Sequence, residues 1–368
     1  MIYLDHGATS FHKPAQVFRA VQRAMETCAN PGRGGYPAAM EASRVIYGCR
    51  EEAAKLFRCR PEQVVLTTSC THGLNIAIRS IVKPGKRVVI SGFEHNAVTR
   101  PLHALGAQIR VAGRKLFDRE DTLERFAQEL KDADAAVFTH VSNVFGYILP
   151  LEEMAELCRK RGVPFVVDAA QSAGMLPVEL ERLGADFIAM PGHKGLLGPQ
   201  GTGLLLCSGE AQPLLYGGTG NASIRQEMPE DLPERLEAGT LNVPGYAGLK
   251  EGLQYLNRTG VETIFRKSHR QMQHCIRGLE RLGMQVFSGA DQAATVSFLP
   301  GMDCEEAAQQ LGQRGIAVRA GLHCAPFAHE SAGTLETGTV RVSFGYGSER
   351  TQTDAFLQAA SKLPPFSK

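Results

Sequence analysis

An α/β fold, with a largely parallel sheet covered by helices on both faces and a smaller α+β layer beyond it, is predicted by three observations. From Val64 to Cys207 short apolar runs alternate with helical patterns, the β-then-α rhythm of parallel sheets. The run VPFVVD ending at Asp168 is apolar without alternation, as a strand buried on both faces must be. Beyond Tyr246 the order changes to helices separated by short strands without that regular crossover. The chain has 368 residues, long for one domain, so a large domain over 14–255 and a small one from 1–13 with 256–368 are expected.

Composition narrows the function. Hydrophobic residues at 43% and charged ones at 21% are ordinary for a globular protein. A net charge of +2 gives no reason to expect nucleic acid or an anionic membrane as partner. The opening MIYLDHGATSFHKP has neither a basic nor an apolar signal region, and no apolar run is long enough to span a bilayer. Nine cysteines, none in a C-x-x-C pair, argue against a zinc site or disulfide framework and for a reducing cytoplasm. Cys28, Cys49, Cys59, Cys158, Cys207 and Cys275 fall in helix or strand patterns and read as small core hydrophobes.

In chain order, Tyr3–Thr9 carries a glycine and small residues, which suggests backbone lying close to a ligand or partner. A helix is expected over 14–27, then a glycine-rich loop with one charge, Arg33, then an amphipathic helix over 41–57. A strand over 64–67 runs into Thr68-Ser-Cys-Thr-His-Gly73 and a helix over 74–82. Hydroxyl and small residues at such a turn serve either as an ordinary cap or as an anion cradle, through Cys70 and Thr71. The strand 87–91 ends near His95, a capping, buried or ligand-facing histidine. Strand 108–111, helix 123–130, strand 135–140 and helix 151–161 follow, with Asn143 in the loop between the last two.

The strand 163–168 places Asp168 at its carboxyl end, where open α/β sheets bind ligands, and Gln171 follows as a neutral donor. Strand 186–190 then breaks at Pro191-Gly192 and presents His193 and Lys194 on a turn. Five glycines fall between Gly192 and Gly203. A single loop lysine is usually solvated. Paired with an aspartate at a strand end, it supplies what pyridoxal 5'-phosphate (PLP) needs: an amine for its aldehyde and a carboxylate for its pyridinium nitrogen. Strand 204–207 is expected to be antiparallel, and 217–220 and 236–240 are polar loops. Helix 246–256 leads to helix 262–282, strands 285–287 and 295–299, helix 304–314, strands 317–318 and 339–344, and a last helix.

Asp168-Ala-Ala-Gln171, Pro191-Gly-His-Lys194 and Gly198-Pro-Gln-Gly-Thr-Gly203 together resemble the class V aminotransferase family, and within it the cysteine desulfurase and selenocysteine lyase branch. The likeness runs from Tyr3 to about Gly347. It implies PLP-dependent transferase fold type I with a mainly parallel seven-stranded sheet. It implies that Lys194 bonds the cofactor, that Asp168 pairs with the ring nitrogen, and that His95 stacks on the ring. Cys70, Thr71, Gln171 and His193 become cofactor contacts, and Asn143 a contact of the cofactor's phenolic oxygen or the substrate. Gly239 and Thr240 are expected to reach the cofactor phosphate of a neighbouring subunit, making a homodimer obligatory. Arg33 is expected to border the substrate.

A second centre separates this chain from a general transaminase. Arg319-Ala-Gly-Leu-His-Cys-Ala325 matches the RxGxHCA pattern of the second desulfurase group, which turns Cys324 from an incidental loop thiol into a nucleophile. Arg341, seventeen residues on, matches the arginine that clamps the substrate carboxylate. One departure is Pro191, where relatives carry a serine or threonine that bonds the phosphate; another is the segment 328–337, which leaves the sulfur acceptor, a possible partner protein, undefined. The reading is a cysteine desulfurase acting on L-cysteine, with selenocysteine lyase acting on L-selenocysteine as runner-up and a transaminase behind both. A nucleotide-binding or scaffold protein is disfavoured by the lack of G-x-G-x-x-G or a Walker lysine.

Overall fold

The structure, a computed structural model, describes residues 1–32, 34–220 and 224–367. Its centre is a seven-stranded sheet in the order Val64–Thr67, Gly203–Cys207, Phe187–Pro191, Phe165–Asp168, Ala135–Thr139, Arg87–Ser91, Gln108–Ala112. Gly203–Cys207 runs antiparallel to both neighbours and the other pairings are parallel. The apolar runs explain this arrangement. Phe165–Asp168, Phe187–Pro191 and Ala135–Thr139 are buried along their whole length. Each fully buried Val, Ile or Phe contributes roughly 1.5–3 kcal/mol.

Helices cover both faces. Ala15–Thr27 and Pro37–Phe57 pack with Val243–Thr259. Leu151–Arg161 lies where predicted and ends on Gly162 in a left-handed cap. Four helices begin three or four residues earlier than their apolar periodicity indicates, and in three of them a polar cap, Ser69, Asp118 or Asn242, sets the start. Ser69 accepts the His72 N–H and opens Cys70–Ile81, while Asp118 accepts the Asp121 N–H at 2.9 Å and opens Arg119–Glu129.

A second apolar core gathers Leu4, Met272, Val296, Val340 and Phe356 around a four-stranded antiparallel sheet. Its order is Arg319–Gly321, Thr339–Ser343, Thr295–Leu299, Gln285–Phe287. The chain start joins this body, since Ile2–Tyr3 pairs in parallel with Ile316–Ala317. The predicted strand at 317–318 is therefore two short strands, Ile316–Ala317 and Arg319–Gly321, in different sheets. Helix Pro326–Ala332, which follows the Cys324 turn, carries no predicted counterpart.

Candidate active site

The carboxyl ends of five strands meet at one cavity of about 110 Å³. Ser69, Cys70 and Thr71 reach it from the end of Val64–Thr67, and His95 from the end of Arg87–Ser91. Asn143 follows Ala135–Thr139, Asp168 and Gln171 follow the next strand, and Pro191, His193 and Lys194 close the far wall. Eight predicted site residues thus come together from five separate segments.

The backbone of the lysine loop is packed closely against its neighbours. A Cβ on Gly195 would lie 2.2 Å from the Ala173 carbonyl oxygen, so only glycine fits there. Desolvation in the cavity pushes the Lys194 ammonium below the ordinary lysine value, and Arg341 adds to that while Asp168 opposes it. His193 is stitched to the chain start: its carbonyl accepts the Ser10 N–H at 2.9 Å, and its Nδ1 lies 3.1 Å from Thr9 Oγ1.

Asp168 is 2% exposed, and burial raises its carboxyl above the usual carboxylate range, offset by the Ala170 N–H and Lys194. Its Oδ1 accepts from Ala170 N at 2.9 Å and from the Cys70 thiol at 3.5 Å. Its Oδ2 accepts no hydrogen bond among the described residues. The Cys70 side chain is therefore engaged with Asp168 rather than free for an anion. The Cys70 and Thr71 amides remain, at a helix start where Ser69 already serves His72.

His95 caps its helix and faces the cavity at once. Nδ1 accepts the Ala97 N–H at 3.0 Å, which leaves the proton on Nε2. Burial, then the charges of Lys194 and Arg319, push the ring down to about 4, so it is neutral at pH 7. Gln171 spends an amide N–H on the Gly7 carbonyl at 3.0 Å. Gly7 does approach a partner closely, since a Cβ there would lie 3.2 Å from Cζ of Arg341.

Arg341 stands behind the cavity wall, 1% exposed. Its Nη2 pairs with Asp5 Oδ1 at 2.6 Å and its Nη1 donates to the Asn143 carbonyl at 2.9 Å. Nε is buried and has no partner among the described residues. Asp5 is the site residue that sequence reasoning missed. It lies 336 residues from its partner, and the bridge between Asp5 and Ser343, with hydrogen bonds from Ser343 to Leu4 and from Gly7 to Ser343, brings them together.

Cys324 is exposed on the turn after Gly321, and its carbonyl accepts the Asn96 N–H at 2.7 Å, one residue from His95. Gly239 and Thr240 lie on the surface and do not line this cavity; the loop before them is anchored where Glu237 meets Arg50 at 2.6 Å. Arg33 lies outside the described residues.

Residues 2–356 match the family described as Aminotransferase class-V. A probable cysteine desulfurase of Methanothermobacter thermautotrophicus is 32% identical over 364 residues, spanning 94% of this chain and 90% of that protein. Another, from Pyrococcus abyssi, is 30% identical over 99% of this chain and 94% of its own length. The apo structure of a cysteine desulfurase from Thermococcus onnurineus NA1 is similar with a TM-score of 0.90 at 30% identity, covering 98% of this chain and 94% of the other. The Escherichia coli cysteine desulfurase CsdA, as the S-sulfonic acid, gives a TM-score of 0.86 at 27% identity, covering 98% and 94%. Matched along nearly its whole length in sequence and in fold, this chain belongs to the class V aminotransferase family, in its cysteine desulfurase branch.

Proposed function

We propose that this protein is a PLP-dependent cysteine desulfurase that converts L-cysteine to L-alanine and leaves the sulfur on Cys324 as a persulfide. The observation that carries this reading is the convergence of Lys194, Asp168 and His95 on one cavity, with the main chain of the exposed Cys324 held by the residue next to His95.

The residues fit the cofactor. Asp168 Oδ2 accepts no hydrogen bond among the described residues, in a cavity where a pyridinium N–H would supply one, and the amides of Cys70 and Thr71 suit a phosphate at a helix start. Pro191 lines the same wall and offers no hydroxyl, so the phosphate relies on those amides and on groups outside this chain. When bound, PLP supplies an aldehyde that condenses with amines and a protonated ring that draws electrons from the substrate Cα.

The chain's own groups then divide the work. Lys194, with its ammonium destabilised by desolvation, is the base for the Cα proton. Asp168 would pair with the protonated ring nitrogen, and neutral His95, which faces the same cavity with its proton on Nε2, would stack on the ring. Arg341 attracts the substrate carboxylate through the N–H groups that Asp5 and Asn143 leave free. Cys324 attacks the substrate sulfur: an S–S bond forms, the Cβ–S bond breaks, and the electron pair left on Cβ takes a proton to give alanine.

Purified enzyme with PLP and L-cysteine is expected to release alanine and, with a reductant, sulfide in equal amounts. Alanine without sulfide, or pyruvate in place of alanine, would overturn this reading. The same assay with L-selenocysteine separates the selenocysteine lyase alternative, which uses the same residues.

The complete site is proposed to need two copies of the chain. Gly239 and Thr240 are exposed and do not line their own cavity, while Phe18, Met25, Tyr36, Met40 and Tyr47 expose large apolar side chains and Met25 shares a surface cleft with Thr240. Thr240→Arg is expected to weaken self-association and PLP retention together, read by size-exclusion chromatography and cofactor titration. Full PLP occupancy in a monomeric variant would sink the shared site. A sulfur-acceptor protein is the further partner we propose, since a persulfide on an exposed turn must hand its sulfur on. Among the described residues no helix is long and apolar enough to cross a membrane. The cytoplasm is the proposed compartment, in keeping with nine unpaired cysteines.

A further inference from the structure

We propose that the side chain of Asn143 is a positioning residue that locks the Cys324 turn to the cofactor cavity and to the substrate arginine. The proposal rests on the reading of Cys324 as nucleophile but adds a role for Asn143 beyond the cavity itself. His323 and Cys324 are consecutive non-glycine residues at φ +50° and +57°. Side-chain-bearing residues enter the left-handed region reluctantly, and two in succession persist only where surroundings hold them.

The holding contacts are few and specific. Asn143 Nδ2 donates to the His323 carbonyl at 2.8 Å, and the Asn96 N–H donates to the Cys324 carbonyl at 2.7 Å. The Ala325 N–H closes the turn on the Leu322 carbonyl at 2.9 Å, and the His323 ring nitrogen Nε2 donates to the Thr339 carbonyl at 3.2 Å. Of these donors only Asn143 combines a side chain on the cavity wall with a carbonyl that receives Arg341 Nη1, at 2.9 Å. Asn143 is 8% exposed and its contact with His323 is buried, so water cannot replace the amide cheaply.

An amide nitrogen carries two N–H groups, and His323 uses one. The other N–H and Oδ1 remain for whatever fills the cavity. One residue therefore touches the carboxylate-binding arginine, the cofactor space and the turn that bears the thiol. Loss of the amide strips the His323 carbonyl of its donor and lets the left-handed pair relax. The chemical step, which needs the thiol against the substrate sulfur, then suffers more than substrate binding.

The test uses Asn143→Ala and Asn143→Asp, the latter keeping the size while removing the donor, each measured with and without PLP. Hydrogen exchange at the Asn96 and Ala325 amides is expected to quicken by about tenfold or more in both variants, with the amides of Val261–Arg281 unchanged. In the PLP-loaded enzyme, kcat for sulfide release is expected to fall at least ~10-fold while KM stays within ~3-fold. Unchanged exchange at those two amides overturns the proposal even if PLP binding or activity is lost, because Asn143 then serves the cofactor alone. If the alanine variant exchanges faster everywhere, the aspartate variant decides; global loosening in both overturns the proposal in favour of a general structural role. The exchange result stands apart from the functional reading, which fails separately if Cys324→Ala still releases sulfide.

Discussion

Replacing Lys194 by alanine is expected to abolish turnover and leave the fold intact. The loop that bears this lysine is held by main-chain hydrogen bonds that the substitution does not touch. The Gly192 N–H meets the Thr202 carbonyl at 2.8 Å, the Gly198 N–H meets the Gly192 carbonyl at 2.7 Å, and the Leu197 N–H meets the Lys194 carbonyl at 3.0 Å. The side chain itself stands in the cavity and belongs to none of the apolar cores. Removing a buried, desolvated amine from that place relieves a cost rather than opening a hole in the core. The same side chain is proposed both to bond the cofactor and to take the Cα proton. Loss of a general base alone lowers rates by roughly 10²–10⁴-fold, so at least that loss is expected here. Borohydride treatment of the PLP-loaded wild type should fix the cofactor to the chain, whereas the variant should release all of it on denaturation. Cofactor fixed to the Lys194→Ala chain would show that another lysine is the anchor.

Much of this site is legible in the sequence because of how a parallel sheet is built. Strands buried on both faces are apolar throughout, so a polar residue at the end of such a run marks the ligand side of the sheet. That logic locates Asp168, His95 and the turn of Lys194, and all three lie on the cavity wall. Asp5 resists the same reasoning. It sits in a short opening segment without periodicity, and its guanidinium partner is brought to it by pairing between strands far apart in the chain. The Arg319–Gly321 strand is hidden for a related reason: three residues ending in glycine have no period to read, and their partner is Thr339–Ser343. The Cys70 thiol shows a further limit. Its position at a helix start is legible, but its contact with Asp168 depends on two strands that are not adjacent in the sheet. Propensity and pattern describe each element; the pairing of distant side chains follows from topology alone.

Cys324→Ala is expected to separate cofactor chemistry from sulfur transfer. The thiol is exposed and lies outside the apolar cores, so its removal leaves no cavity and little change in stability is expected. The carbonyl of residue 324 still accepts the Asn96 N–H, and Asn143 still reaches the His323 carbonyl, so the turn keeps its main-chain holds. Lys194, Asp168, His95 and Arg341 are untouched. The variant should bind PLP with unchanged affinity and still show the change in cofactor absorbance that L-cysteine induces. It lacks the nucleophile that takes the sulfur, so the route through an S–S bond is closed. Sulfide release from L-cysteine should therefore fall by at least ~100-fold, in kcat rather than in KM. L-selenocysteine provides the contrast, because a selenol is a better leaving group than a thiol and can depart without attack by Cys324. Partial activity on selenocysteine beside near-complete loss on cysteine would locate the requirement at the sulfur step. Unchanged sulfide release from L-cysteine would refute the role of Cys324 and leave a PLP enzyme that eliminates sulfur by another path.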